Sequence, residues 1–262
     1  MARAIPHPTF NLRLLTLARD LKRRKAREKH RLFVAEGVRA VEELLRSPVT
    51  IRGALVAPQL LDAPRGAVLA EALRSRVEVQ DVAANEFGSA AETESPQGVI
   101  AIAEVPERSF ADFAADWSGV VLVLDAVQDP GNVGTILRTA AAFSAVATIT
   151  LPGTVDLWNA KVVRSGMGAH FTHPAFSSTW AELDAFRSRT GTKLFAADSA
   201  GEPASSVKTS ERVALVVGNE GAGLSADART RADRTIALPL APGVESLNVA
   251  VATGVLLYLL RR

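Results

Sequence analysis

The sequence has 262 residues, of which 48% are hydrophobic and 22% are charged, a composition typical of globular proteins and not of disordered or fibrous ones. This length favours two domains. The chain has no cysteine, which excludes disulfides and thiolate metal sites. Its longest apolar stretch, residues 249–260, is shorter than the roughly 20 residues that a membrane span needs. Because the first residues also lack the pattern of a secretory signal, we expect a cytoplasmic protein that does not enter membranes.

Positive charge is concentrated at the start of the chain. Residues 1–31 contain ten Lys or Arg and two acidic residues, a net charge of +8, whereas the whole chain carries +2, which leaves −6 for the remainder. Leucines alternate with the basic residues and predict one helix over residues 9–31 with a very basic face. Such a face is typical of polyphosphate binding, and a merely solvated helix is the alternative. The candidate RNA-binding residues are Lys22, Arg23, Arg24, Lys25, Arg27 and Lys29.

Strands and helices alternate through the rest of the first half. The patterns predict strands at residues 32–35, 51–57, 77–80 and 99–103 and helices at residues 38–46 and 67–74. This alternation indicates a small α/β domain over residues 1–106, with the basic helix included. The polar residues that follow Val105-Pro106 predict a linker at residues 107–116.

The second predicted domain covers residues 117–262, with strands at residues 120–125, 147–150, 193–197, 213–217 and 235–238 and helices between them. Apolar runs such as VVLVLD and VALVVG do not alternate with polar residues, so we expect a mainly parallel sheet with helices on both faces. Three glycine-bearing turns follow strands of this sheet: DPGNVGTILRTA at 129–140, GNEGAGLS at 218–225 and LPLAPGVESLNVAVATG at 238–254. Ligands bind beyond the carboxyl ends of such strands, so the three turns predict one composite pocket.

Several familiar kinds of site are not found in the sequence. The first turn has no G-x-G-x-x-G with a following acidic residue, and no Walker motif occurs, which argues against dinucleotide and P-loop sites. His170 and His173 have a spacing that metal ligands can adopt, but no acidic third ligand lies nearby and Pro174 follows directly. We therefore expect no metal and interpret both histidines as loop or core residues.

The three turns together resemble the motifs of the SpoU (TrmH-like) family of SPOUT RNA 2'-O-ribose methyltransferases. The first family motif has an Asn, a nearby Gly and an Arg that opens a helix, matched here by Asn132, Gly134 and Arg138. The second, Gly-x-Glu-Gly, is matched by residues 218–221, and the third by Pro239 and the Ser-Leu-Asn-Val of residues 246–249. FVAEGVRAVEELL and SPQGVIAIAE, at 33–45 and 95–104, resemble the family's ribosomal-protein-like RNA-binding domain.

The resemblance implies an enzyme that transfers a methyl group from S-adenosylmethionine to a ribose 2'-hydroxyl. The arrangement is most similar to members that act on large-subunit, 23S-type rRNA, of which the thiostrepton-resistance methyltransferases are one branch. It also implies a C-terminal trefoil knot, which is rare among protein folds, and a homodimer packed through the knot region. Two alternatives stay open: methylation of tRNA, and a catalytically silent rRNA-binding assembly factor.

Roles can also be assigned to the motif residues. The resemblance implies that Arg138 activates the 2'-hydroxyl, but a guanidinium stays protonated and is a poor literal base, so we expect it to bind the adjacent phosphate and stabilise the developing alkoxide. Glu220 would either hold Asn132 and the neighbouring turn by hydrogen bonds, the role that we favour, or offset the positive charges of the methyl donor and of Arg138. Asn132 and Asn248 can each donate and accept, which suits bridging between turns. Ser246 would either bond near the reacting oxygen or cap a helix. The expected cofactor-binding residues are Gly218, Asn219, Gly221, Leu238, Pro239, Leu247 and Val249.

Overall fold

The structure is a computed structural model that describes residues 14–207 and 211–261. The first half contains helices α1 (Leu14–Asp20), α2 (Arg24–His30), α3 (Val38–Arg46), α4 (Pro64–Arg74) and α5 (Ala84–Ala90) and strands β1 (Leu32–Glu36), β2 (Ile51–Val56), β3 (Val79–Asp81) and β4 (Val99–Glu104). The second half contains strands β5 (Gly119–Leu124), β6 (Ala147–Thr150), β7 (Ala175–Ser177), β8 (Lys193–Pro203), β9 (Arg212–Val217) and β10 (Arg234–Ala237) and helices α6 (Pro130–Ala142), α7 (Ala160–Ser165), α8 (Trp180–Thr190), α9 (Ala226–Arg231) and α10 (Val249–Leu260). Within the described ranges, no helix has the length and apolar character needed to cross a membrane.

The first sheet is mixed and has the order β1-β4-β2-β3. Strand β4 runs antiparallel to β1 and β2, whereas β2 and β3 are parallel. Strand β1 is buried along its whole length, because its alternate residues enter two different cores. Phe33 faces the larger core, and Val34 faces a smaller core that contains Leu14 and Leu17 of α1. The predicted small α/β unit is therefore present, with its sheet covered on both faces.

The basic segment forms two short helices, so the prediction of one helix over residues 9–31 was wrong for the described residues. Helix α1 ends at Asp20 and α2 begins at Arg24, with a turn between them. Leu21 is fully buried in that turn, and Nη1 of Arg27 donates hydrogen bonds to the carbonyl oxygens of Leu21 and Lys22 at 2.7 and 2.8 Å. These bonds satisfy carbonyls that a continuous helix would have used internally. The predicted residues 9–13 lie outside the described residues.

The second sheet is entirely parallel and has the order β10-β8-β9-β5-β6-β7. Successive residues of β5 point into different cores: Val121 and Val123 into one, Leu122 and Leu124 into the other. This burial on both faces explains why the strand sequences are continuously apolar. The prediction of a parallel α/β sheet is confirmed, although the short strand β7 and helix α5 were not predicted.

The two halves share a continuous hydrophobic core. Phe33 of β1 packs against Trp158 and Phe171 of the second half, with ring centroids 4.5 and 5.9 Å apart. Arg27 of α2 forms an ion pair with Asp156, with 2.6 Å between Nη2 and Oδ2, and only 5% of the arginine side chain is exposed. Apolar packing and a nearly buried ion pair therefore hold the basic segment and the first sheet against the second sheet.

The segment predicted as a linker is anchored by aromatic residues. Phe110 stacks on Phe186 with the ring centroids 4.5 Å apart, and Phe113 lies 4.8 Å from the same ring. These rings join the core on one face of the parallel sheet. Residues 107–116 thus connect the two halves as a packed segment, and the domain boundaries placed around them stay a prediction.

Candidate active site

The first turn is built between β5 and α6. Asp129 caps α6 by accepting the backbone N–H of Asn132 at 2.7 Å, and Pro130 occupies the first helical position, where a missing N–H costs nothing. Asp125, which ends the apolar run of β5, is 3% exposed and accepts the backbone N–H of Ser225 at 2.7 Å. The first turn therefore caps α6, and the end of β5 that precedes it is fastened to the second turn.

Asn219 fastens the second turn to the end of β5. Its Oδ1 accepts the backbone N–H groups of Gly221 and Ala222 at 2.9 Å each, and its Nδ2 donates to the carbonyl oxygen of Ala126 at 2.9 Å. Ala126 has a φ of +58°, a left-handed conformation that is uncommon outside glycine. The Asn219 carboxamide is thus engaged within the protein, and it stabilises this backbone at the end of β5.

Glu220 connects the second turn to the start of α6. Its carboxylate accepts the backbone N–H groups of Gln128 and Asp129 at 3.2 and 3.1 Å and the side-chain Nδ2 of Asn132 at 3.0 Å. Burial alone raises the pKa of this carboxyl, but the hydrogen bonds from Asn132 and from backbone amides outweigh it and hold the pKa below its usual value. The carboxylate is therefore ionised at neutral pH. Its contacts match the predicted organising arrangement.

Asn248 brings the third turn into the same network. Its Nδ2 donates to Oδ1 of Asn132 at 3.0 Å, and its Oδ1 accepts the backbone N–H groups of Ala250 and Val251 at the start of α10. Asn248, and not Ser246, is the cap of this helix, so the alternative reading of Ser246 as a cap was wrong. The three turns meet through one chain of hydrogen bonds that runs from Glu220 through Asn132 to Asn248.

A cleft of about 600 Å³ opens between the second and third turns and the end of β8. This volume lies in the range of pockets that hold small molecules and cofactors, roughly 300–1,000 Å³. Of the residues expected to bind a cofactor, all except Pro239 line it. Its lining combines apolar walls with glycine backbone and acidic side chains: Ile236, Leu238, Leu240, Leu247, Val249, Leu256, Gly218, Gly221, Asp198, Glu220 and Glu245.

Gly218 permits the tight path of the second turn. A Cβ atom at this position would lie 2.4 Å from the backbone of Gly223, which is closer than real Cβ atoms come. Gly223 itself has a φ of +70°, in the left-handed region that favours glycine. The glycines therefore fix the backbone that borders the cleft. The leucine walls and the close glycine backbone can accommodate an adenosine, and the carboxylates can bind a positively charged group of a ligand.

Comparison with known proteins agrees with this geometry. The profile of the SpoU rRNA Methylase family matches residues 119–258, which is more than half of the chain. This chain belongs to that family. The profile of the MRM3-like substrate binding domain matches residues 16–101, so the first half of this SpoU methylase also has relatives.

Curated relatives of this SpoU methylase are named as rRNA methyltransferases. The 23S rRNA (guanosine(2553)-2'-O)-methyltransferase RlmP of Bacillus subtilis is 36% identical over 244 residues, which cover 93% of this chain and 94% of the relative. The 23S rRNA (guanosine-2'-O-)-methyltransferase RlmB of Bordetella pertussis is 34% identical, covering 86% of this chain and 95% of the relative. These matches span both halves of the chain.

Solved structures of SpoU methylases superpose over nearly the whole chain. An AdoMet-bound rRNA methyltransferase from Sinorhizobium meliloti has a TM-score of 0.83 at 28% identity and covers 97% of this chain and 96% of its own. The SpoU methyltransferase AviRb from Streptomyces viridochromogenes, in complex with the cofactor AdoMet, has a TM-score of 0.85 at 26% identity and covers 94% and 96%. The fold of this SpoU methylase is therefore a SPOUT methyltransferase fold with an N-terminal substrate-binding unit.

Arg138 lies outside the cofactor-sized cleft. It is exposed, and no hydrogen bond or ion pair joins its guanidinium to another described residue. It occupies the ninth position of α6, which begins at Pro130, so the prediction that Arg138 opens the helix was wrong. Asn132, in the first turn, is the motif residue that lies where the helix opens. The free guanidinium is available to a substrate.

The six predicted RNA-binding residues of this SpoU methylase fall into two groups. Nζ of Lys22 donates to the carbonyl oxygens of Ser89 and Ala91 at 2.8 and 2.7 Å, and Arg27 is buried in its ion pair with Asp156. Both side chains are engaged in holding the protein together, which the charge pattern did not reveal. The other four are exposed on or beside α2: Arg23, Arg24, Lys25 and Lys29.

His170 and His173 are buried beside the contact between the halves. Nε2 of His170 lies 3.0 Å from the carbonyl oxygen of Leu157, and Nε2 of His173 lies 2.8 Å from Oγ1 of Thr148. Burial lowers the pKa of each histidine to about 4, so both are neutral at physiological pH. Both are core residues, one of the two readings that the sequence left open.

Proposed function

We propose that this SpoU methylase transfers a methyl group from S-adenosylmethionine to a ribose 2'-hydroxyl of large-subunit, 23S-type rRNA. The observation that carries the proposal is the hydrogen-bonded junction of Glu220, Asn132 and Asn248 beside a cleft of cofactor size. All three family motifs contribute to this junction. The substrate is inferred from relatives named as 23S rRNA 2'-O-methyltransferases that align over 93% and 86% of the chain.

The residues of the cleft fit the cofactor that we propose. S-adenosylmethionine supplies an electrophilic methyl group on a positively charged sulfonium. Leu238, Leu247 and Val249 offer apolar walls for an adenine, and the carboxylate of Glu220 lies in the lining of the same cleft. Methyl transfer forms an O–CH3 bond as the S–CH3 bond breaks, leaves the neutral S-adenosylhomocysteine and releases the hydroxyl proton to solvent, so a preorganised cleft around the developing charges favours the reaction. The residues of this chain bind the cofactor, orient it and exclude water from it.

Arg138 is proposed to serve the RNA side of the reaction. Its guanidinium lies outside the cleft and is free of protein partners in the described residues. A guanidinium binds a phosphate and a neighbouring oxygen at the same time through its fork of N–H donors. We assign to it the positioning of the ribose and the stabilisation of the developing oxyanion, with Ser246 as a further hydrogen-bond donor near the acceptor.

The basic segment is proposed to bind rRNA phosphates through its four exposed cations. Arg23, Arg24, Lys25 and Lys29 are exposed, and the ion pairs of Arg23 with Asp20 and Arg24 with Glu28 are local and solvated. Such surface pairs are weak and exchange readily for phosphate contacts. The segment is attached to the catalytic half through Arg27, which fits a role in presenting RNA to the cleft.

We further propose a homodimer and a trefoil knot formed by the last segments of the chain. The dimer is supported by a row of exposed apolar side chains on α10, including Val251, Val255 and Tyr258, which are 54%, 41% and 51% exposed. Support for the knot is the return of α10 from the edge strand β10 to pack on α6. A monomeric mass in light scattering would contradict the dimer, and an experimental structure with an unthreaded chain would contradict the knot.

The catalytically silent assembly factor is the second candidate. It would bind rRNA without the cofactor, so calorimetric titration with S-adenosylmethionine separates the two. The complete set of motif contacts favours the enzyme.

Ribose-methylation mapping tests the proposed substrate. Total RNA from cells with and without this gene is compared at nucleotide resolution. We expect one 2'-O-methyl group of the large-subunit rRNA to disappear with the gene. Loss of a tRNA methyl group instead would assign the enzyme to tRNA, and an unchanged map would contradict methyl transfer to RNA.

A further inference from the structure

Asp198 and Arg229 form an ion pair that lines the cleft. Asp198 belongs to β8 and its side chain is only 14% exposed, with Oδ1 accepting the backbone N–H of Ala200 at 3.1 Å. Arg229 belongs to α9, and 52% of its side chain is exposed. The carboxylate is therefore held in place by the protein, whereas the guanidinium faces open space.

Both members of the pair have hydrogen-bonding capacity left for a ligand. A guanidinium has five N–H donors, and within residues 14–207 and 211–261 the side chain of Arg229 donates only to Asp198, through Nη1. In the part of the chain that the structure describes, each carboxylate oxygen of Asp198 accepts one donor, and a carboxylate can accept about four. The ion pair can thus bind one acidic and one basic group of a ligand at once.

The charges around the cleft define what such a ligand must carry. Among the described residues that line it, three are acidic, Asp198, Glu220 and Glu245, and Arg229 is the one Lys or Arg, which gives a formal charge of −2. S-adenosylmethionine carries two positive centres, the sulfonium and the α-ammonium, and one α-carboxylate. The α-carboxylate has Arg229 as its available cationic partner in this lining, and the α-ammonium has a nearby acidic partner in Asp198.

We propose that the Asp198–Arg229 pair recognises the amino-acid part of S-adenosylmethionine. Arg229 binds the α-carboxylate and Asp198 binds the α-ammonium, while the leucine walls hold the adenosine. The inference rests on the proposed function, because it takes this cleft as the cofactor site. It assigns a specificity role to two residues outside the three motifs.

Calorimetric titration of the purified full-length protein with four ligands tests the proposal. S-adenosylmethionine and S-adenosylhomocysteine carry the whole amino acid, decarboxylated S-adenosylmethionine lacks the carboxylate, and 5'-methylthioadenosine lacks both groups. Arg229→Ala should weaken the first two by roughly tenfold or more, as expected for a lost charge-assisted hydrogen bond, and leave the last two within about twofold. Asp198→Asn should weaken every ligand except 5'-methylthioadenosine.

Arg231→Ala is the matched control. Arg231 lies on the same helix, but its partners Asp184 and Asp227 are not among the residues that line the cleft, so all four affinities should stay at the wild-type level. Retained binding of 5'-methylthioadenosine also shows that each variant is folded.

Two results would overturn the assignment of the pair. One is that Arg229→Ala loses as much affinity for 5'-methylthioadenosine as for S-adenosylmethionine. The pair would then maintain the shape of the cleft and would not recognise the amino-acid part. The other is unchanged affinity for all four ligands, which would make it a structural ion pair only. If the wild-type protein bound none of the four ligands, the cleft would not be a cofactor site, and the proposed function would be contradicted as well.

Discussion

Asn132 is the residue on which the junction of the three turns depends. Its side chain donates to Glu220 and accepts from Asn248, at 3.0 Å in each case. A carboxamide can do both, whereas a carboxylate can only accept. Asn is therefore required at this position, because Glu220 needs a donor and Asn248 needs an acceptor.

Asn132→Asp should disrupt the junction. It places a second carboxylate about 3 Å from that of Glu220, and like charges at this distance oppose ionisation of both groups. We expect the affinity for S-adenosylmethionine to fall by roughly tenfold, measured by calorimetry, because charged hydrogen bonds of this kind contribute about 1.5–3 kcal/mol.

The double variant Asn132→Asp/Glu220→Gln supplies the control for this prediction. It exchanges donor and acceptor across the same contact, so it should regain part of the lost affinity, and the cycle should show coupling between the two sites. Additive losses in the double variant would show that the two residues act independently.

The sequence motifs pointed to these residues, but several of their hydrogen-bond partners could not be predicted from the sequence. Of the two roles considered for Glu220, its hydrogen bonds to the first turn fit the organising one. Asn219 was assigned to the cofactor, yet its carboxamide binds the backbone of its own turn and Ala126. Asp125 was not singled out, because a strand-end aspartate has no partner in the sequence until Ser225 is brought to it by the fold.

At the scale of elements, the two helices of the basic segment have different roles. Helix α1 buries Leu14, Leu15 and Leu17 under the first sheet, and α2 carries most of the exposed charge. Charge counting cannot separate an exposed cation from a buried one. Arg27 and Lys22 show the difference, since each is occupied by partners distant in sequence.

Arg27→Met should destabilise the protein strongly. It leaves Asp156, whose side chain is 18% exposed, without its partner and removes the donor to two carbonyl oxygens. Removal of one member of a buried pair costs about 3–5 kcal/mol, and partial exposure of Asp156 places the expected loss at about 3 kcal/mol. Urea unfolding measures this loss of stability.

Arg24→Ala is the control, because it breaks an exposed pair with Glu28 and should lower the free energy of unfolding by less than about 1 kcal/mol. Equal losses in the two variants would contradict the structural role of Arg27.

Substitution of Arg23, Arg24, Lys25 and Lys29 by Ser should weaken the salt dependence of RNA binding. Each lost phosphate contact removes about 0.7–0.9 from the slope of log affinity against log salt concentration. Point substitutions are needed because truncation would also remove the core leucines of α1. Lys22→Ser is the control and should keep the slope. An unchanged slope in the fourfold variant would identify the segment as a solvated surface.

At the scale of the whole molecule, the two halves behave as one packed body around Phe33, Trp158 and the two buried histidines. The parallel sheet was predictable because its strands are apolar on both faces. The shared core was not, since no local pattern shows that Phe33 of one sheet meets Phe171 beside the other. Tertiary contacts between distant segments decide such packing.

Acid should destabilise this packed body through His170 and His173. Burial lowers the pKa of each to about 4, whereas in the unfolded chain each takes up a proton below about pH 6.5. The unfolded state therefore binds more protons between these pH values, and the free energy of unfolding falls as the pH drops. From pH 7.5 to 5.5 we expect the free energy of unfolding, measured with urea, to fall by about 3 kcal/mol, roughly half of it from each histidine.

His173→Gln isolates the contribution of one ring. In this variant the fall in the free energy of unfolding from pH 7.5 to 5.5 should be about half of that in the wild-type protein, whatever the stability of the variant at pH 7.5. A wild-type protein that is equally stable at both pH values would show that the histidines titrate in the folded state as they do in water.

We propose that methyl transfer to a ribose needs both the free guanidinium of Arg138 and the cleft formed by the second and third turns. The most direct measurement is single-turnover methylation of rRNA from a strain that lacks the gene, with isotope-labelled S-adenosylmethionine and nucleoside mass spectrometry of the product. The wild-type protein should place the label on a ribose 2'-oxygen. Arg138→Ala should lose roughly a hundred- to a thousandfold in rate and retain cofactor affinity, and Arg138→Lys should resemble it, because Lys lacks the fork. Label on a base would contradict ribose methylation, and a near-normal rate for Arg138→Ala would show that Arg138 takes no part in the chemistry.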